Sequence, residues 1–204
     1  MKKVEFGKKA RTKLVEGIDI LADAVVSTLG PNGRNVFIQK GIVDPPQSTK
    51  DGVTVARSIV LKDPELEMGV QAMKYAAIKT ADKAGDGTTT STLLAREMVH
   101  AGLEGLNNGE NAVKIKRDID KSVKQVISKL KDIAEDISDE SQLTQIATVS
   151  ANNDEEIGSL ISTGIEKVGP KGVVHIETSK TGETYIETVE GMQFSRGYKS
   201  PYFV

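Results

Sequence analysis

Gly85-Asp86-Gly87-Thr88-Thr89-Thr90 decides how this chain is read. Upstream, Leu66, Val70, Met73, Ala77 and Ala81 recur at three- and four-residue spacing, the mark of one apolar helix face, and the glycines stop that helix. Downstream, a new helix starts within the threonines and carries Leu94 and Met98. Glycines at such a junction let the backbone turn sharply and bring amide N–H groups toward a ligand. The helix N-terminus beyond them offers unpaired donors and partial positive charge, the threonine hydroxyls add more, and Asp86 can hold a hydrated magnesium ion. Those are the groups a nucleoside triphosphate needs. A lone Gly-Asp-Gly more often ends one helix and caps the next, but capping needs only one hydroxyl and three follow here.

Working outward, Leu14, Ile18, Leu21, Ala22, Val25 and Leu29 predict a long amphipathic helix that Gly30-Pro31 terminates. Asn35 to Gln39 reads as a short strand, Gly41 to Ser48 with Pro45-Pro46 as a loop, and a short helix follows from Val53. Ile119, Val123, Val126, Ile127, Leu130 and Ile133 form another helical stripe, opposite a solvated face rich in lysine and aspartate. The texture changes at Ala134 to Ser138. Two shorter helices are predicted beyond it, one by Leu143, Ile146 and Ala147, the other by Ile157, Leu160, Ile161, Ile165 and Val168 after the acidic start Asn153-Asp154-Glu155-Glu156. Val173 to Thr178 and Thr184 to Glu190 are β-branched and flank Lys180-Thr181-Gly182, which predicts a β-hairpin. A helical N-terminal domain thus passes into a small α/β segment.

The 204 residues, 38% hydrophobic, suffice for one large domain or two modest ones. A formal charge of -2, from 27 basic and 29 acidic residues, supplies no field that would draw the chain to nucleic acid or an anionic membrane. Aromatics at 4% are thin for base stacking, and the absence of cysteine removes thiolate chemistry. Charges after Met1-Lys2-Lys3 interrupt any secretory leader, and no run approaches the roughly 20 apolar residues of a membrane span, so a cytoplasmic protein is expected.

Competing motifs fit poorly. Gly85-x-Gly87-x-x-Thr90 lacks the third glycine of the dinucleotide fingerprint and follows a helix. Gly164-x-x-x-x-Gly169 runs into Pro170-Lys171, where a P-loop needs Lys-Ser/Thr. His100 and His175 stand at no ligand spacing and read as structural or exposed, and Met68 and Met73 read as core. Thr28-Leu29-Gly30-Pro31 and Thr49-Lys50-Asp51-Gly52 have ordinary cap and turn explanations. If they converge on the threonine loop, Lys50 supplies positive charge and Asp51 a carboxylate that can orient water or accept its proton.

Taken in order, several segments resemble the group I chaperonin family, the GroEL type: Leu21 to Val25, Thr28 to Asn35, Thr49 to Val53, Gly85 to Thr90, Val149 to Asn152, Glu190 to Phe194 and Arg196 to Phe203. An ordered set over the whole chain is far more specific than any one member of it. The resemblance implies a mainly α-helical equatorial nucleotide-binding domain (N-terminal part) over 1–132. It implies the first part of a small α/β intermediate hinge domain over 133–189 and the start of an apical α/β domain over 190–204. It also implies ATP-dependent protein folding in a ring-shaped cavity, with ATP, Mg2+ and K+ as cofactors. The implied partners are further copies of the subunit in two stacked seven-membered rings, a co-chaperonin lid and unfolded polypeptide clients, with neither nucleic acid nor membrane among them.

Carried over by motif, Thr28, Leu29, Gly30, Pro31, Gly87, Thr88, Thr89 and Thr90 would surround the phosphates, with Asp86 on magnesium. Lys50 would lie near the phosphates, Asp51 would be catalytic by helping to activate water, and Ser150, with Asn152 close by, would approach from the hinge. Asn35 to Ser48 resembles a stem-loop that adds strands to a neighbouring subunit, with Pro45-Pro46-Gln47 altering its tip. Asn107 to Ala112 also departs from the family pattern. Family members run to well over twice this length, so the chain reads as a fragment without the apical polypeptide-binding helices, the returning hinge and the C-terminal equatorial half. Negligible ATPase and poor solubility are expected of it alone. The alternative is a nucleotide-independent binding or assembly protein on the same scaffold; a small kinase is disfavoured.

Overall fold

The computed structural model describes residues 4–41, 43–169, 172–189, 191, 197, 200 and 202. Contacts divide the chain into two units, Met1–Ala134 and Glu135–Val204.

In the first unit, the apolar stripes become α1 (Gly7–Val26), α2 (Gly52–Ser58), α3 (Pro64–Ala84), α4 (Thr88–Asn107) and α5 (Ala112–Ile133). Helices α1 and α3 pack along each other, with α2 and α4 against both. Their shared core holds Leu21, Val25, Val55, Ala56, Val70, Met73 and Ala77. Backbones approach closely at reciprocal glycines. A Cβ on Gly17 would collide with the Leu66 carbonyl, and one on Gly69 with the Leu14 carbonyl. Polar pairs tie the same helices at their rims: Lys13 to Glu65, Arg96 to Asp23 at 2.8 Å and His100 Nε2 to Asp19 Oδ1 at 2.7 Å. His100 is therefore a partly exposed structural residue, as its isolation in the sequence predicts.

Between α1 and α2, β1 (Val36–Ile38) and β2 (Gln47–Thr49) pair antiparallel, with Val36 opposite Thr49 and Ile38 opposite Gln47. Gln47 and Ser48, read from sequence as loop, are strand. Their polarity hides a pairing that the register with β1 supplies. Met68 is also corrected, because it is 63% exposed while Met73 is buried at 3%. Five residues of α-helix turn the side chain by about 140° from the core face.

The α2–α3 connection is held by charge. Lys74, 8% exposed, donates from Nζ to the Ile59 carbonyl at 2.7 Å and the Arg57 carbonyl at 3.5 Å, satisfying groups that the end of α2 leaves without helical partners. Glu67 accepts the Leu61 amide at 2.7 Å. Helix α5 packs against α4 but buries no residue fully, and Val126 and Leu130 stay more than half exposed.

In the second unit, α6 (Glu140–Ser150) and α7 (Glu155–Val168) pack as a helical hairpin. Thr144 Oγ1 donates to the buried Ser162 hydroxyl at 2.9 Å, and Gly158 lies so close to Thr148 that no side chain fits there. Asn152 and Asn153 make the turn with left-handed φ of 59° and 65°, a conformation asparagine tolerates better than most residues. The β-hairpin expected over Val173 to Thr178 and Thr184 to Glu190 does not form among the described residues, where β1 and β2 are the only paired strands. Val173 and Ile176 are 71% and 83% exposed, and a two-stranded ribbon with neither face covered is marginal in water. Most of 190–204, expected to start an apical domain, lies outside the described residues. Among the described residues no helix is long and apolar enough to cross a membrane.

Candidate functional site

Each helix from α2 to α7 begins on a side-chain cap except one. Asp51, Asp63, Asn111, Asp139 and Asp154 accept first-turn amides of α2, α3, α5, α6 and α7. Helix α4 starts instead on Gly87, whose φ of 82° and ψ of 13° are left-handed and whose missing side chain caps nothing. The preceding Gly85 ends α3 with φ of 75°, so two left-handed residues bracket Asp86. A 20-residue helix thus presents its positive end without a cap from its N-cap residue.

The threonines after Gly87 divide their work. Thr88 is buried, and its carbonyl accepts the Ser91 and Thr92 hydroxyls at 2.9 Å each. Thr89 Oγ1 lies 3.2 Å from Thr28 Oγ1. Thr28, 6% exposed, donates its own proton to the Val25 carbonyl at 2.7 Å, so Thr89 is the donor between the two hydroxyls. Thr90 is exposed.

Thr28 opens the turn that follows α1. Leu29 N–H donates to the Val26 carbonyl, Gly30 has φ of 69°, and Gly33 closes back onto the Gly30 carbonyl at 3.0 Å. Gly30 and Pro31 are exposed, and Leu29 is 39% exposed, so this part of its stripe leaves the core to line the turn.

Strand β2 returns the chain to the same place. Gly52 is wedged between Val25 and Thr89, and a Cβ there would lie 2.5 Å from Thr89 Oγ1. This brings the neighbouring Lys50 and Asp51 to the threonine loop. Asp51 is exposed, with Oδ1 accepting Val53 N at 3.4 Å and Oδ2 accepting Thr54 N at 3.0 Å and Thr54 Oγ1 at 2.5 Å. Lys50 is half-buried and makes no ion pair among the described residues. The roles of Gly52 as spacer and Thr54 as a donor to Asp51 are additions to the sequence reading. An Asp followed by Gly and, at the third position, Thr is an ordinary helix-start pattern that conceals both.

Asp86 is exposed, and its Oδ1 accepts the Gly87 amide at 2.6 Å. Among the described residues no cluster of three or more His, Asp or Glu side chains could cage a metal. A single carboxylate beside hydroxyls and a helix N-terminus fits magnesium as it is held together with phosphates and water, and does not fit an all-protein calcium-type cage. Ser150 belongs to the second unit, where it ends α6 just before the left-handed asparagines.

The sequence profile of the TCP-1/cpn60 chaperonin family matches residues 21–203. Among solved structures, the chain resembles the chaperonin gp146 from the bacteriophage EL 2 (Pseudomonas aeruginosa), determined in the presence of ATP-BeFx in two crystal forms. The first comparison gives 36% identity and a TM-score of 0.65 over 76% of this chain and 27% of that one. The second gives 36% identity and a TM-score of 0.66 over 77% and 28%. The chain therefore spans little more than a quarter of the solved relatives it matches.

Proposed function

The chain belongs to the TCP-1/cpn60 chaperonin family and is of the GroEL type, and from that premise we propose that it supplies the phosphate-binding wall of an ATP-driven protein-folding subunit. The observation that carries this reading is the meeting of Thr28, Gly52 and Thr89 at the one helix start, among α2 to α7, whose N-cap residue supplies no side-chain cap. Amides at the start of α4 and the hydroxyls of Thr88, Thr89 and Thr90 would bind phosphate oxygens, with Leu29, Gly30 and Pro31 closing the opposite side. Lys50 adds charge. Asp86 would hold Mg2+, which when bound supplies charge neutralisation on the phosphate oxygens. The K+ ion remains an expectation from the resemblance.

Asp51 would take the proton of a water whose oxygen attacks the γ-phosphorus. The bond to the β–γ bridging oxygen breaks, and ADP leaves with the electron pair. Ser150 as a further ATP-binding residue is an expectation from the resemblance. In this reading 1–132 belong to the equatorial domain, 133–189 to the hinge and 190–204 to the apical domain. The protein would work in the cytoplasm in stacked seven-membered rings, with a co-chaperonin lid and unfolded polypeptide as clients.

The test is magnesium-dependent ATP hydrolysis and refolding of a denatured client by the full-length gene product. Failure of both would overturn the proposal. Calorimetric titration with Mg-ATP isolates the site, since equal heats for wild type and Asp86→Ala would remove the phosphate-binding role while leaving a nucleotide-independent scaffold.

A further inference from the structure

The Asp51 carboxylate is unevenly occupied. Oδ2 accepts two donors from one residue, the Thr54 amide at 3.0 Å and the Thr54 hydroxyl at 2.5 Å, while Oδ1 holds only the Val53 amide at a long 3.4 Å. A carboxylate oxygen has two lone-pair sites, so Oδ2 is saturated and Oδ1 keeps one for a new donor. The backbone amides alone would cap α2. The hydroxyl adds something else: it makes the two oxygens inequivalent and stops the carboxylate from turning about its last torsion, which is otherwise soft.

We propose that Thr54 is a positioning residue that holds Asp51 so that Oδ1, and not Oδ2, receives the proton of the attacking water. The inference rests on the nucleotide reading given above and deepens it. The geometry around α2 supports a rigid mount: Gly52 is seated against Thr89 at one end, and Lys74 holds the Arg57 and Ile59 carbonyls at the other. With both ends of α2 fixed, the remaining freedom of Asp51 lies in its side chain, which the Thr54 hydroxyl removes.

In the full-length protein, Thr54→Val deletes the hydroxyl but keeps shape and β-branching. Its kcat for ATP should fall roughly tenfold with KM unchanged within about twofold, as expected when a reacting group is misaligned but substrate binding is not. Thr54→Ser should restore kcat. On an Asp51→Asn background, Thr54→Val should cost nothing further, because the group it orients is gone. A helix cap alone would lower the melting temperature equally on both backgrounds and leave kcat in place. Wild-type kcat in Thr54→Val, failure of serine to rescue, or an equal kcat loss on both backgrounds would each overturn the inference. Should valine not fold, Thr54→Ala against Thr54→Ser decides by the same readout. If Asp51→Asn itself turns over normally, the proton-acceptor reading and this inference fall together; if it is inactive while Thr54→Val is normal, only this inference falls.

Discussion

Thr28 Oγ1 and Thr89 Oγ1 lie 3.2 Å apart, joining the end of α1 to the first turn of α4 across 61 residues of sequence. Because Thr28 gives its proton to the Val25 carbonyl, the order of donation runs from Thr89 through Thr28 to Val25. The pair is partly buried, so breaking it is not repaid in full by water. Thr89→Val should cost about 1 kcal/mol of stability, the usual net worth of one such bond, and Thr28→Val somewhat more because two bonds go. A double-mutant cycle in urea should return a coupling of about 1 kcal/mol. Mg-ATP affinity should drop in both single variants, read by calorimetry.

The reciprocal glycines of α1 and α3 are a second fixed point. Gly17 faces the Leu66 carbonyl and Gly69 the Leu14 carbonyl, so any Cβ forces the two backbones apart. Gly69→Ala should destabilise the first unit by about 1–3 kcal/mol, overriding alanine's better helix propensity. Gly102→Ala makes the contrast on α4, where a Cβ would meet Ile115 at an ordinary 3.7 Å. There propensity decides, and the variant should gain about 0.5–1 kcal/mol. Urea midpoints at constant m-value check both signs.

Acid should loosen the α2–α3 connection. Glu67 is held below its ordinary 4.5, first by the Leu61 amide, then by the Gln71 side chain, with Lys74 adding attraction. A carboxyl whose folded pKa is depressed contributes stability that is fully present above its unfolded value and is lost as pH falls through the folded one. Midpoints measured from pH 7 down to about pH 3 should therefore fall below roughly pH 4.5 in wild type. Glu67→Gln should start lower and show a shallower acid limb. An identical limb in the two proteins would assign the acid sensitivity to other carboxylates.

Sequence periodicity carried the helices because stripes of three- and four-residue spacing survive without knowledge of the partner, even in α5, whose stripe no partner fully buries. It failed where the partner decides. Gln47-Ser48-Thr49 has no apolar alternation, and only pairing with Val36 to Ile38 makes it a strand. Val173 to Thr178 has the right composition for a strand and no paired neighbour among the described residues. The site divides likewise. Glycines and threonines at 85–90 are visible as a helix start, but that Thr28 and Gly52 meet Thr89 is a fact of packing. The family resemblance, not spacing, implied that the Thr28 and Thr89 motifs share a site, and neither pointed to Gly52. Thr54 was hidden because its bond to Asp51 is indistinguishable in sequence from routine capping.

Helix α5 gives the sharpest test of how this chain behaves by itself. Val123, Val126, Ile127 and Leu130 fall on one face and are 38%, 57%, 47% and 56% exposed, while Lys121 lies on the opposite side. Such a stripe is amphipathic by design, yet its main packing partner among the described residues is α4 alone, and it stays about half exposed. Half-exposed aliphatic side chains would each gain roughly 1 kcal/mol on further burial, too little for a tight dimer but enough, over four residues, for weak association. The 204-residue chain alone should therefore elute larger than a monomer as concentration rises. Val126→Glu with Leu130→Lys should shift it back to the monomer with little loss of helix content, since both positions are solvent-facing and both new residues are good helix formers. Lys121→Glu should change nothing, because charge reversal on the solvated face leaves the apolar stripe intact. Light scattering across a concentration series separates the cases, and a wild-type chain that stays monomeric throughout would show that the α5 stripe is not adhesive.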